Sequence, residues 1–153
     1  MDKTKLQTME HIDNVRTKLS IIIKELIERQ NKHDQSKLNT PEVEIFHEYT
    51  PRLKNLTYNS EEYKQCLENM NVAIKHHYEN NRHHPEHFSN GIQGMNLVDL
   101  IEMFCDWVSA TERHDNGDIY KSININKERF NYSDDLVSIF KNTVELLDSK
   151  KQH

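Results

Sequence analysis

Apolar residues recur along the chain at three- and four-residue steps, the spacing of amphipathic helices that each bury one face. Val15, Leu19, Ile22 and Leu26 mark a first helix over about residues 4–30. After the turn NKHDQSKLNT, Thr40 is placed to cap and Pro41 to open a short helix through Phe46 toward Thr50, where Pro51 interrupts. Asn59 or Ser60, with Glu61 and Glu62 in the first turn, starts a helix carrying Tyr63, Leu67, Met70 and Ile74. Asn96 caps the very apolar stretch LVDLIEMFCDWVSATER, Asn116-Gly117 precedes a helix near Ile119 to Phe130, and Ser133 caps a last helix with Leu136, Phe140, Val144 and Leu147 on one side. The pattern predicts five or six helices and no strand. The fold class is therefore all-α, a single compact helical domain over residues 1–153.

Composition agrees with that picture and narrows the function. Hydrophobic residues make up 35% of the 153 positions against 29% charged, with three Gly and three Pro, which suits a folded helical protein and not a linker. The formal net charge is −5, and Lys and Arg are scattered, so no footprint for a duplex nucleic acid is present. No apolar run approaches the roughly 18 residues of a membrane span, and the polar start MDKTKLQTMEH lacks the core of a signal peptide. The expected place is the cytoplasm, with no membrane partner. Cys66 and Cys105 both fall in apolar helical patterns and read as buried free thiols without chemistry.

The chemistry concentrates in histidine. Residues 76–87 read HHYENNRHHPEH, five histidines in twelve residues. On the third helix His77 continues the line of Leu67, Met70 and Ile74 and should point inward, whereas His76 follows Gln65, Asn69 and Val72 on a wetter line. His11, four residues before Val15, heads the first helix's stripe and should also point inward. A lone inward histidine is ordinarily a hydrogen-bonded core residue. Two of them, beside KHDQSKL and NRHHPEHF, make a cluster that is costly to bury unless a cation uses its lone pairs. On the apolar helix, Asp99, Glu102 and Asp106 share a face; Asp99 and Glu102 read as a solvated edge running on to Ser109 and Arg113, while Asp106 sits between Cys105 and Trp107. Mixed imidazole and carboxylate ligands suit iron, manganese, cobalt or zinc, and the absence of CxxC or HExxH argues against a zinc finger or metalloprotease. A catalytic centre remains.

His11, the pair His33-Asp34 followed by Ser36-Lys37, then His77, His83-His84 and Asp106, taken in that order, resemble the HD-domain superfamily of metal-dependent phosphohydrolases. HDQSK is similar to its HD-x-x-K turn, and HHPE with DLIEMFCDW after it resembles the second half of HD-type cyclic-dinucleotide phosphodiesterases. The likeness spans about residues 8–114, and the whole chain also resembles a small family of helical bacterial and phage proteins. It implies that His11, His33, Asp34 and Asp106 hold one divalent transition metal ion. A second ion would be bridged by Asp34 and held by His77 with one or both of His83 and His84. Only five residues separate His77 from His83 and the Gly-Tyr-Pro signature is absent, so the likeness to the cyclic-dinucleotide enzymes does not extend to their substrate. Hydrolysis of a nucleotide or other small phosphoester by metal-activated water is the expected activity. Asp34 and Lys37 would be its catalytic residues, Lys37, Arg82 and Arg113 its phosphate contacts, and Glu86 and His87 outer supports. Two alternatives use the same residues: an HD-like diiron oxygenase, and a non-catalytic helical accessory protein that binds a metal or ligand.

Overall fold

The computed structural model describes residues 2–53, 55–56, 60–113 and 116–151. Among them are six α-helices, three short 3-10 turns and no strand, as the periodicity predicts. No helix among the described residues is long and apolar enough to cross a membrane. The chain divides into two compact units, residues 1–35 and 36–153, with the boundary inside HDQSK, where the sequence has no Gly- or Pro-rich linker to announce it.

The first unit is one long helix and its exit. Helix α1 spans Lys3–Lys32; Asp2 caps it by accepting from the Thr4 N–H at 3.2 Å, and Arg29 and Lys32 place positive charge in the last turn, where the dipole favours it. None of its residues is buried. Val15, Leu19 and Ile22, expected to face inward, are 42%, 55% and 39% exposed, and His11 is exposed with them. Periodicity establishes that a helix has an apolar face; it does not establish what covers it. Asp34 leaves the helix at φ 57°, in the left-handed region that a non-glycine residue seldom adopts.

In the second unit, α2 (Glu42–Leu53) packs on α3 (Glu61–Asn80). Helix α2 starts one residue past Pro41, with the Glu42 and Val43 N–H groups donating to the Asn39 carbonyl at 3.0 Å. Pro51 lies inside its final turns instead of ending it. Near a helix end the bond that proline cannot donate is the main loss, and the chain tolerates it. Ser60 caps α3 through the Tyr63 N–H at 3.1 Å; its alternative, Asn59, lies outside the described residues. Of the stripe expected on α3, Met70 is buried at 5% exposure and Tyr63, Leu67 and Ile74 are half-buried; the buried line runs instead through Cys66, Met70 and Ala73.

Helices α4 (Leu97–Thr111), α5 (Ile119–Phe130) and α6 (Asp134–Lys151) carry the main core. Met103 and Phe104 of α4 meet Ile123 of α5 and Val137, Phe140 and Val144 of α6, with Tyr132 from the connection between the last two. Phe104 and Phe140 stack at 4.8 Å. Asn131 ends α5 in the left-handed conformation, at φ 50°, and brings Tyr132 back so that its hydroxyl donates to the Ile123 carbonyl at 2.6 Å. Cys66 is buried as expected. Cys105 is exposed, because it falls on the far side of α4 from Met103 and Phe104.

Candidate metal centre

The apolar stripe of α3 ends in chemistry. Continuing inward from Ala73, His77 is buried at the last turn, four residues on, while His76 one position earlier stays half-exposed. Asn81 then breaks the helix: its side-chain amide donates back to the His77 carbonyl at 2.8 Å and to the Ser36 hydroxyl at 2.8 Å. The chain turns through Arg82, His83 and His84 into a 3-10 turn opened by Pro85, and so folds the second histidine pair back against the first. His87 closes this loop by donating from Nδ1 to the Tyr78 carbonyl at 2.9 Å.

His77, His83 and His84 converge. The ring of His84 lies 4.7 Å from that of His77 and 4.2 Å from that of His83, and His77 and His83 are 5.9 Å apart, centre to centre. Nε2 of His77 is 2.8 Å from Nε2 of His84. One ligand nitrogen from each of the three rings lies within 4.8 Å of the others. His83 is 1% exposed and His77 4%, so this imidazole is held where water does not solvate it.

Two acidic side chains stand behind the rings. Glu42, the first residue of α2, is fully buried and bridges Nδ1 of His77 at 2.8 Å and Nδ1 of His76 at 2.7 Å. Burial pushes its carboxyl pKa up, but hydrogen bonds from His76, Ser36 and His77 outweigh burial and hold it below the ordinary glutamate value. The carboxylate thus keeps the proton of His77 on Nδ1 and leaves Nε2 a lone pair. Glu102 on α4 approaches Nδ1 of His83 at 3.2 Å with a side chain only 11% exposed. A carboxylate on imidazole Nδ1 that leaves Nε2 for the ion is how proteins orient histidine ligands to a transition metal, and His77 has this arrangement.

Asp99 and Glu102 are therefore no solvated edge. Asp99 is fully buried; it completes a capping box with Asn96, whose N–H donates to Oδ2 at 3.0 Å, and takes a two-pronged bond from Arg82, Nε to Oδ1 at 3.1 Å and Nη2 to Oδ2 at 2.9 Å. This corrects the expectation for Arg82. Its fork ties the histidine loop to the start of α4 instead of being presented to a phosphate.

A cavity of about 460 Å³ opens beside His84. Trp107, Phe130 and Tyr78 give it aromatic walls, and Asp106, Ser122, Asn126 and Arg129 supply polar groups. Burial, then the charge of Glu86, raise the Tyr78 hydroxyl pKa against the pull of Arg129, so it stays protonated. Arg129 donates to Glu86 at 2.6 Å at the cavity wall.

A family model matches residues 1–148 of the chain, and its description is a family of unknown function (DUF5662). The chain belongs to that family. No curated protein and no solved structure matches it. The remaining expected residues of this DUF5662 chain fall as follows. His33 and Asp34 lie together in the first unit, both half-buried, with Nε2 of His33 3.6 Å from Oδ2 of Asp34. His11 stands on the same α1 helix 22 positions earlier, roughly 33 Å up its axis at about 1.5 Å per residue, so it cannot share an ion with them. Lys37 is half-buried in the 3-10 turn Gln35–Leu38, and Arg113 is exposed just beyond α4. Glu42 and Arg129 are the residues that sequence reasoning missed. Ser122, Asn126 and Arg129 do share a helical face in the sequence, a signal available for the cavity wall; a helix's first residue such as Glu42 offers no periodicity to read.

Proposed function

We propose that this DUF5662 chain is a metal-dependent phosphohydrolase whose ion is held by His77, His83 and His84. The observation that carries the reading is the convergence of three imidazoles, the buried His77 and His83 and the half-buried His84, with Glu42 and Glu102 beside the first two and a polar cavity next to the third. Imidazoles converging at this spacing fit a divalent transition ion such as zinc, manganese, iron or cobalt, and three histidines leave a coordination position open, as catalytic sites require. Within the second unit the HD-like resemblance adds Asp106 as a ligand and Lys37 as a catalytic contact; His11 is withdrawn on the distance above.

A bound ion would supply an acidified water, with a pKa near about 7, and a Lewis acid for a phosphoryl oxygen. The chain's own residues do the rest. Glu42 holds His77 in the tautomer that offers Nε2, and Glu102 lies 3.2 Å from Nδ1 of His83. Arg129, at the cavity wall, supplies positive charge to a phosphate, and its bond to Glu86 keeps it in place. The aromatic walls of Trp107 and Phe130 suit the flat or apolar part of a small phosphorylated substrate, a nucleotide being the expected class.

Elemental analysis of protein purified without chelator, followed by anaerobic phosphate release from nucleotides and a generic phosphodiester, tests the reading. Stoichiometric transition metal with turnover in the absence of oxygen is the expected result. A metal-free protein that stays inactive after metal loading rejects it, and oxygen-dependent turnover would favour diiron chemistry instead.

A further inference from the structure

The long first helix has an apolar stripe for which no residue of α1 is buried. Ile12, Val15, Leu19, Ile22 and Leu26 follow one another at steps of three, four, three and four, the heptad spacing of a coiled-coil seam. Ile12, Val15, Leu19 and Ile22 are 39–55% exposed, and Met9 and Ile23, flanking the seam, 46% and 55%. A single helix with such a stripe is marginal in water, so the stripe calls for a partner.

We infer that the partner is a second copy of the chain, and that two α1 helices pair antiparallel about a two-fold axis near Ser20 and Ile21. The charges beside the seam select this occupant and this register. With Leu19 opposite Ile22 of the other copy and Val15 opposite Leu26, Lys18 of one helix meets Glu25 of its mate, and symmetry repeats the pair. Sliding one heptad either way sets Lys18 against Lys18 or Glu25 against Glu25. A parallel arrangement sets Lys18 against Ile23 and Glu25 against Gln30, with no ion pair at all. Glu25 already accepts from Arg29 of its own helix at 3.1 Å, yet its side chain is 46% exposed and keeps an oxygen for the partner. The inference does not depend on the metal reading, because it is measured on mass alone.

Light scattering and sedimentation equilibrium of the full chain should give twice 18.3 kDa. Lys18→Glu should weaken the dimer about tenfold, since the altered pair occurs twice, and Lys18→Glu combined with Glu25→Lys should restore it. Leu19→Glu should give the mass of one chain. Being surface changes on one helix, the charge variants remain informative even if Leu19→Glu fails to fold. A monomeric wild type at all concentrations overturns the inference and leaves the stripe to another part of the chain or to a different protein. A dimer indifferent to Lys18→Glu, or not rescued by the double variant, overturns the antiparallel register.

Discussion

At the scale of single residues, the most informative backbone position is Asp34. Its φ of 57° costs an L-residue of this kind about 1 kcal/mol, and such conformations persist where the side chain has a task. Asp34→Gly should therefore relieve the backbone and raise the stability of the metal-free protein by about 1 kcal/mol over Asp34→Ala. Both variants should lose metal if the pair His33-Asp34 contributes ligands. Urea unfolding read alongside elemental analysis checks both halves, and full metal occupancy in either variant removes Asp34 from the site. Glu42 acts on a different atom. Glu42→Gln keeps the volume but replaces the acceptor that holds the Nδ1 proton of His77, and should lower metal affinity about 10- to 100-fold while His77 stays in place. Competition with a chromogenic chelator measures it; an unchanged Kd means that Glu42 only packs. The choice of His77 over His76 was legible in the sequence because a helical stripe leads to it. Glu42 was not, because at a helix start burial depends on which other element lands there.

At the scale of elements, helix types and ends were largely readable. Asn96, Ser133 and Ser60 sit where capping chemistry puts them, and α5 runs from Ile119 to Phe130 as the apolar spacing predicts. What spacing cannot show is a charge buried by a partner from another element. Asp99 lies on a polar-looking edge of α4, and only the arrival of Arg82 from the histidine loop makes that edge interior. Arg82→Ala should leave Asp99 buried with less to bond, costing about 2 kcal/mol and loosening the loop that carries His83 and His84. Hydrogen exchange at residues 82–88 should rise in that variant; unchanged protection would mean that Pro85 and His87 hold the loop unaided. Tyr132 gives an element-level prediction in pH. Burial pushes its hydroxyl up to about 12 from an ordinary 10, so the folded state favours the neutral form. The sign follows: the contribution is whole below pH 10 and is lost as pH rises from 10 through about 12. Tyr132→Phe should cost about 1 kcal/mol at neutral pH, through the lost bond to the Ile123 carbonyl, and should unfold less steeply in that alkaline window than the parent.

At the scale of the whole molecule, composition and periodicity fixed the class but not the division of labour. So little Gly and Pro predicts one helical body, and the boundary at Gln35 has no compositional mark because it falls within a tight turn and not a linker. Function is legible here only where sequence-distant groups come together, and the three histidines came together because Asn81 ends α3 and Pro85 turns the chain back. That convergence makes a global prediction that requires no substrate. Metal that binds the folded state and not the unfolded one stabilises by RT ln(1 + [L]/Kd), about 2.7 kcal/mol when the free ion is a hundredfold above Kd. For a chain of this size that corresponds to a rise in Tm of roughly 5–10 °C. Zinc or manganese added to chelator-stripped protein should produce such a rise. In His77→Ala and His84→Ala the rise should vanish, since each removes one of the converging nitrogens, while His47→Ala, an exposed histidine of α2, should keep it in full. A Tm that responds equally in all four proteins would mean that the ion binds elsewhere, and one that responds in none would mean that the buried imidazoles are joined by hydrogen bonds alone.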